Sequence, residues 1–159
     1  MIRTGIGLDT HRFEPGRPLI LGGVEIPHEL GLAGHSDADV LTHAVIDALL
    51  GASGQGDIGE HFPDTDPRYA GADSLALLRD VVARLGATVV HVDGTVMMER
   101  PKLGPHKAVI RASLAAALGI PEEAVNVKAT TGEGMGFVGR GEGVAALAVA
   151  TLEDPAIGR

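Results

Sequence analysis

Asp9 and His11 close an alternating apolar stretch that begins at Met1, and His43 lies later on an apolar segment with helical spacing. Two imidazoles and one carboxylate suit zinc and leave a coordination position open, which a catalytic metal needs. In a strand, residues two apart project from one face, so Asp9 and His11 can reach the same ion. On the helix, Asp39, His43 and Asp47 recur every four residues and share a face. A carboxylate accepting from the far nitrogen of His43 would set its tautomer and leave the other nitrogen to a metal. The plainer alternative is an exposed strand end and a partly buried surface histidine between two solvated aspartates. Asp9, His11 and His43 taken together favour the metal.

The elements that must position these side chains follow from hydrophobic spacing. Ile2 to Asp9 reads as a strand, and Leu19 to Ile26 as a hairpin around Gly22-Gly23. From Asp37 to Leu50, apolar residues recur at helical spacing, with Ser36 placed to cap and Gly51 to stop. The segment from Ala52 to Ala72 is rich in Gly, Pro and acidic residues and reads as a long loop. Loops of that length are usually lids or binding loops, so residues 53 to 72 are expected to belong to a site. A helix from Ser74 to Leu85, a strand from Thr88 to Met98, a helix from Lys107 to Leu118 and a strand from Val125 to Thr131 follow. Gly143 to Leu152 suits either a helix or a buried strand by composition. The alternation predicts an α/β or α+β sandwich, a sheet covered by helices on one face.

Composition narrows the chemistry further. A chain of 159 residues with 45% hydrophobic content can bury a substantial core, and a single domain spanning 1 to 159 is expected. The absence of cysteine removes disulfides, thiolate nucleophiles and sulfur-rich zinc sites, so any zinc must be held by nitrogen and oxygen. A net charge of −8 argues against a nucleic-acid surface and implies that an anionic substrate would need a metal. With 23 glycines and 3% aromatic residues, the chain relies on tight turns and close backbone approaches. Met1 to Leu8 lacks the apolar core of a signal peptide, and no uncharged run approaches membrane-spanning length, so a cytoplasmic protein that does not engage membranes is expected. No P-loop is present, and Gly5-Ile6-Gly7 lacks the third glycine and following helix of a dinucleotide fingerprint.

Six motifs occur in order along the chain: Gly5-x-Gly-x-Asp-x-His, His35-Ser-Asp-x-Asp, Gly56-Asp-Ile-Gly, Phe62-Pro-Asp-Thr-Asp, Asn126-Val-Lys-Ala-Thr-Thr and Gly136-Phe-x-Gly-Arg-Gly-Glu-Gly. In that order the chain closely resembles the 2-C-methyl-D-erythritol 2,4-cyclodiphosphate synthases of the non-mevalonate isoprenoid pathway, over nearly its whole length. The resemblance implies a lyase in which the 2-phosphate of a cytidine-diphosphate methylerythritol attacks the β-phosphorus and expels CMP. It also implies a mixed four-stranded sheet with helices on one face, a homotrimer with active sites between subunits, and a strand at Gly143 to Leu152.

By the same resemblance, Asp9, His11 and His43 are ligands of one zinc ion per subunit. Glu133 carries a second divalent ion, magnesium or manganese, with the diphosphate. His35 and Thr131 are the transition-state stabilisers. Asp57, Ile58, Gly59 and the run Phe62, Pro63, Asp64, Thr65 and Asp66 hold the methylerythritol, with Asp9, Thr10, His11, His35 and Ser36 beside them. Met98, Glu99, Arg100, Pro101, Lys102, Leu103 and Gly104, with Thr130, Thr131, Gly132 and Glu133, match the cytidine-diphosphate pocket. Phe137, Arg140 and Glu142 match the lining of the trimer axis. Two other readings are a zinc phosphohydrolase and a trimeric protein that binds metal or an isoprenoid diphosphate without catalysis.

Overall fold

The computed structural model describes residues 1–155. Strand β1 (Ile2–Pro15) is followed by three short strands, β2 (Leu19–Leu21), β3 (Val24–Ile26) and β4 (Leu30–Leu32). Helices α1 (Val40–Ser53), α2 (Ile58–His61) and α3 (Ser74–Arg84) then precede β5 (Thr88–Met97). Helix α4 (Lys107–Leu118), β6 (Val125–Thr130), the one-turn α5 (Gly136–Gly139) and β7 (Gly143–Glu153) complete the order.

The main sheet has five strands in the order β4-β1-β7-β5-β6, antiparallel except for the parallel β5-β6 pair. The expected count of four misses β4, whose three residues are too few to show alternation and which pairs only with Phe13 to Pro15 at the far end of β1. The predicted hairpin forms as β2-β3, a separate two-stranded sheet. Gly143 to Glu153 is a strand buried between β1 and β5, which explains its nearly uniform apolar composition.

Helix α1 lies across β1, β7 and β5, with α3 against it, and nearly all of its residues are buried. Its approach to β1 depends on two glycines. A Cβ on Gly5 would lie 2.0 Å from the Ala48 carbonyl oxygen, and one on Gly7 would lie 1.9 Å from that of Ala44. Those distances are far inside van der Waals contact, so only a residue without a side chain lets helix and strand backbones meet here. The first motif is thus a packing device, and it brings Asp9 and His11 beneath the helix that carries His43.

The start of α1 is three residues later than the spacing predicts. Asp39, not Ser36, is the cap, and the helix runs past Gly51 to Ser53, ending on Gly54 in the left-handed region (φ 73°). Asp39 is fully buried, and its carboxylate accepts from the Gly22, Gly23 and Thr42 amides and the Thr42 hydroxyl. One side chain therefore caps the helix and holds the hairpin turn to it. Asp39→Ala would strand those donors away from water and is expected to lower the unfolding free energy by about 2–3 kcal/mol, measurable by denaturant titration.

Candidate metal centre and substrate cavity

Strand β1 pairs with β7 so that Asp9 sits opposite Ala146 and His11 opposite Val144. Both side chains point to the helix-covered face, as the spacing predicts. The Asp9 Oδ2 atom lies 2.9 Å from His11 Nε2 and 3.1 Å from His43 Nδ1, and the two ring nitrogens are 3.4 Å apart. One donor atom from each residue falls within 4.8 Å of the others, the spacing of ligands around one small cation.

The remaining bonds orient each ligand. Asp9 Oδ1 accepts from the Thr10 amide at 2.9 Å, which leaves Oδ2 for the cluster. His11 Nδ1 lies 2.6 Å from the Ala33 carbonyl, which can only accept, so Nδ1 carries a proton and Nε2 is the nitrogen turned toward the cluster. The aspartates expected beside His43 do other work. Asp39 caps α1, and Asp47 Oδ1 accepts from the Ile58 amide at 2.8 Å, holding the start of α2. The far nitrogen of His43 instead faces the Ser74 hydroxyl at 2.8 Å and the Ser36 hydroxyl at 3.2 Å. Helical spacing identified which residues share a face with His43, but not which element packs against it.

Burial by itself would raise the Asp9 carboxyl, yet the hydrogen bonds and charges of His11 and His43 bring it down to about 2. Burial would lower the His11 imidazole, but the bond and charge of Asp9, with the Ala33 carbonyl, raise it above 6.5. In the metal-free protein the Asp9 contribution is present above its ordinary 3.8 and is lost as pH falls toward about 2. The His11 contribution is complete below 6.5 and is lost as pH rises through the raised value. Metal-free protein is therefore expected to lose melting temperature as pH rises from 6.5 through the raised His11 value, and Asp9→Asn to abolish that dependence. Zinc needs His11 Nε2 bare, so zinc affinity is expected to run the other way and fall as pH drops through the same value.

The cluster forms one wall of a cavity of about 420 Å³. His35 and Ser36 line it from the loop before α1; Ile58, Gly59, Phe62, Pro63 and Asp64 line it from the segment after α1. That segment was expected to be loop throughout, but it contains α2 and a short helical turn at Pro67–Tyr69. Caps make these short turns possible: Asp57 accepts from the Glu60 amide, and Asp66 from the Arg68 amide. His35 Nε2 donates to the Asp66 carbonyl at 3.1 Å, tying the segment to the other wall. Thr65 lies beside Asp66, whose carboxylate is paired with Arg68 at 2.7 Å.

The other predicted residues lie elsewhere on the chain. Met98, Pro101, Lys102, Leu103, Gly104, Thr130 and Thr131 line a second cavity of about 310 Å³, which shares no lining residue with the first. Glu99 accepts from the Gly132 amide, joining the turn after β6 to the segment of Arg100 and Pro101, and the Met98 amide donates to the Thr130 carbonyl at 2.9 Å. Glu133 occupies that turn with a left-handed backbone (φ 53°) and donates its amide to the Thr131 hydroxyl at 3.2 Å. Thr10 and Phe137 border a third recess with Glu142, whose carboxylate pairs with Arg140 at 2.9 Å. The structure thus brings Asp9, His11, His43 and His35 around one cavity and keeps Thr131 and Glu133 apart from them.

Sequence reading passed over Gly34 and Leu77, which help complete the first cavity, and Ser74, which backs His43, and placed Tyr69 only within the 53 to 72 segment. Tyr69 is the only tyrosine and stacks edge-on to Phe62 at 5.3 Å, a pairing with a signal in composition. Ser74 and Leu77 carry none, because an ordinary helix start offers no hint of a buried partner.

A sheet-and-helix domain with an Asp-His-His cluster that could hold a metal ion, at the edge of a cavity, is consistent with the class of metal-dependent enzymes that act on a small ligand. The model of the YgbB family matches residues 2–153, and the chain belongs to that family. It is 61% identical over 155 residues to the 2-C-methyl-D-erythritol 2,4-cyclodiphosphate synthase of Salinibacter ruber, covering 96% of this chain and 99% of that one. The Geobacter sulfurreducens protein of the same name is 58% identical over 156 residues, covering 96% and 99%. Among solved structures, the bifunctional IspDF from Campylobacter jejuni superposes with a TM-score of 0.93 at 44% identity, covering 97% of this chain, which spans 42% of that longer protein. A 2C-methyl-D-erythritol-2,4-cyclodiphosphate synthase in a form bound to CDP matches at 0.86 and 42% identity, covering 95% of this chain and 100% of that one.

Proposed function

We propose that this chain converts 4-diphosphocytidyl-2-C-methyl-D-erythritol 2-phosphate to 2-C-methyl-D-erythritol 2,4-cyclodiphosphate and CMP, as a phosphorus–oxygen lyase of isoprenoid precursor biosynthesis. The observation that carries this reading is the Asp9, His11 and His43 cluster at the wall of a cavity, in a chain similar along its length to synthases of that name. The reaction joins two anionic phosphates of one molecule, so positioning and charge stabilisation must come from the site. Bound zinc would supply Lewis-acid polarisation of the β-phosphate at the position its three protein ligands leave open.

The chain's own side chains do the rest. His35, tethered to Asp66 across the cavity, directs its imidazole toward the phosphates as a donor. Asp57 and Asp64 accept from the methylerythritol hydroxyls, and Phe62 and Tyr69 close the apolar side. In the second cavity the backbone of Met98 to Gly104 takes the cytosine edge, Lys102 lies near the phosphates, and the Thr131 hydroxyl donates to the transferring group. Glu133 is the carboxylate for magnesium or manganese between the phosphates.

A homotrimer in which the first cavity of one subunit faces the second cavity of its neighbour agrees with their separation on the single chain. The uncovered sheet face supports the same assembly, since Ile6, Leu8, Leu147 and Met97 stand exposed there. Phe137 and Arg140 would then border the axis. No helix among the described residues is long and apolar enough to cross a membrane. A cytoplasmic location and a single catalytic domain complete the proposal.

Incubating the zinc-loaded protein with the cytidine-linked substrate and resolving the products by phosphorus NMR tests it. CMP and a cyclic diphosphate are expected in equal amounts. A linear phosphate with inorganic phosphate would instead identify a phosphohydrolase, and no turnover would leave a binding protein.

A further inference from the structure

We infer that Asp37 and Ser74 form a positioning relay that holds a ring proton on His43 Nε2 and so turns its Nδ1 toward the metal. The inference rests on the metal reading of the Asp9, His11 and His43 cluster. It concerns residues to which the reaction proposed above gives no part.

Asp37 grips Ser74 at both ends: its Oδ2 accepts from the Ser74 amide at 3.0 Å, and its Oδ1 accepts from the Ser74 hydroxyl. A carboxylate at neutral pH has no proton to give, and a serine hydroxyl has only one. With that proton committed to Asp37, the Ser74 oxygen presents only lone pairs to His43 Nε2, 2.8 Å away. A bare Nε2 there would set lone pair against lone pair, so Nε2 must carry the ring proton. Nδ1 then faces Asp9, to which it can donate in the metal-free protein and beside which it becomes a ligand when a cation takes that proton's place.

The Ser36 hydroxyl is the competitor, since it lies 3.2 Å from the same Nε2 and could donate to it in the opposite tautomer. It is farther away and already accepts from the Ala38 amide at 3.2 Å, whereas Ser74 is fully buried and held by Asp37. Ser74 therefore decides. A neutral serine between carboxylate and imidazole passes on the polarity without placing a second charge beside the cluster. The same residues latch the cavity loop, because the Asp37 amide donates to the Ala72 carbonyl at 3.1 Å and the Gly71 amide to that of His35 at 2.8 Å.

The test uses the full chain, metal-free, with nitrogen-15-labelled histidine, and then zinc alone titrated against a chromogenic chelator. In the wild type, His43 is expected to show a protonated Nε2 both before and after zinc is added. Asp37→Asn keeps the size of the group but offers an amide that can donate to Ser74, so the two tautomers are expected to mix and zinc affinity to fall about 10- to 100-fold. Ser74→Ala keeps the main-chain bond to Asp37 and removes only the hydroxyl, and is expected to weaken zinc to a similar degree. A residue acting only as a structural latch would lower the melting temperature and leave the tautomer unchanged. Variants that keep Nε2 protonated and bind zinc within about twofold of wild type overturn the relay. If His43→Ala binds zinc as tightly as wild type, the metal reading of the cluster fails, and the histidine spectra alone decide the relay.

Discussion

Replacing His43 with alanine is expected to abolish turnover, lowering kcat by about 10³-fold or more, on the scale of removing a central electrostatic contact from a phosphoryl or acyl transition state. His43 is the ligand with the least freedom, since it sits on α1 with its ring buried between Asp9 on one side and Ser74 on the other. Without it, Asp9 and His11 remain on the strand, but two adjacent donors from one element cannot hold zinc in a three-ligand geometry. Metal content and kcat are expected to fall together. Binding of CMP is expected to be unchanged, because the second cavity shares no lining residue with the first. Elemental analysis beside a steady-state assay measures the first two, and calorimetry the third. Full-rate turnover in this variant would remove the cluster from the mechanism.

The largest effect on stability is expected at a residue that does no chemistry. Gly7→Ala would set a methyl group 1.9 Å from the Ala44 carbonyl oxygen and 2.7 Å from the Ala48 amide nitrogen, both of them backbone atoms that no rotamer change can move. The helix must lift from β1 or the strand must bend, at about 4 kcal/mol or more. Because α1 carries His43, the same shift would open the ligand cluster, and zinc affinity is expected to fall along with the midpoint of urea unfolding. Gly51→Ala is the control on the same helix. Its nearest new neighbour would be 3.8 Å away, an ordinary contact, and alanine in a helix interior is expected to stabilise by about 0.5–1 kcal/mol. Opposite signs at two glycines on facing elements would separate close packing from conformational entropy.

Sequence by itself determined a candidate metal set, Asp9, His11 and His43, and most of the elements around it. Period-two spacing put Asp9 and His11 on one strand face, and period-3.6 spacing put His43 on a helix, because local backbone geometry fixes where side chains point. Helix α4 spans Lys107 to Leu118 as that spacing predicts. The ordered motifs identified the family, which no single spacing could have done. What only the tertiary structure decided involves groups brought together from distant parts of the chain. Edge strand β4 is too short to leave a pattern, and β7 owes its composition to burial between two strands rather than to its own propensity. Asp39 became a cap because the Gly22-Gly23 turn packs beside it. The partner of His43 proved to be Ser74, 31 residues on, rather than a carboxylate one helical turn away. The physical reason is the same in each case: a short-range pattern specifies direction along one element, whereas a hydrogen-bond partner is whatever the packing of a second element places within 3 Å.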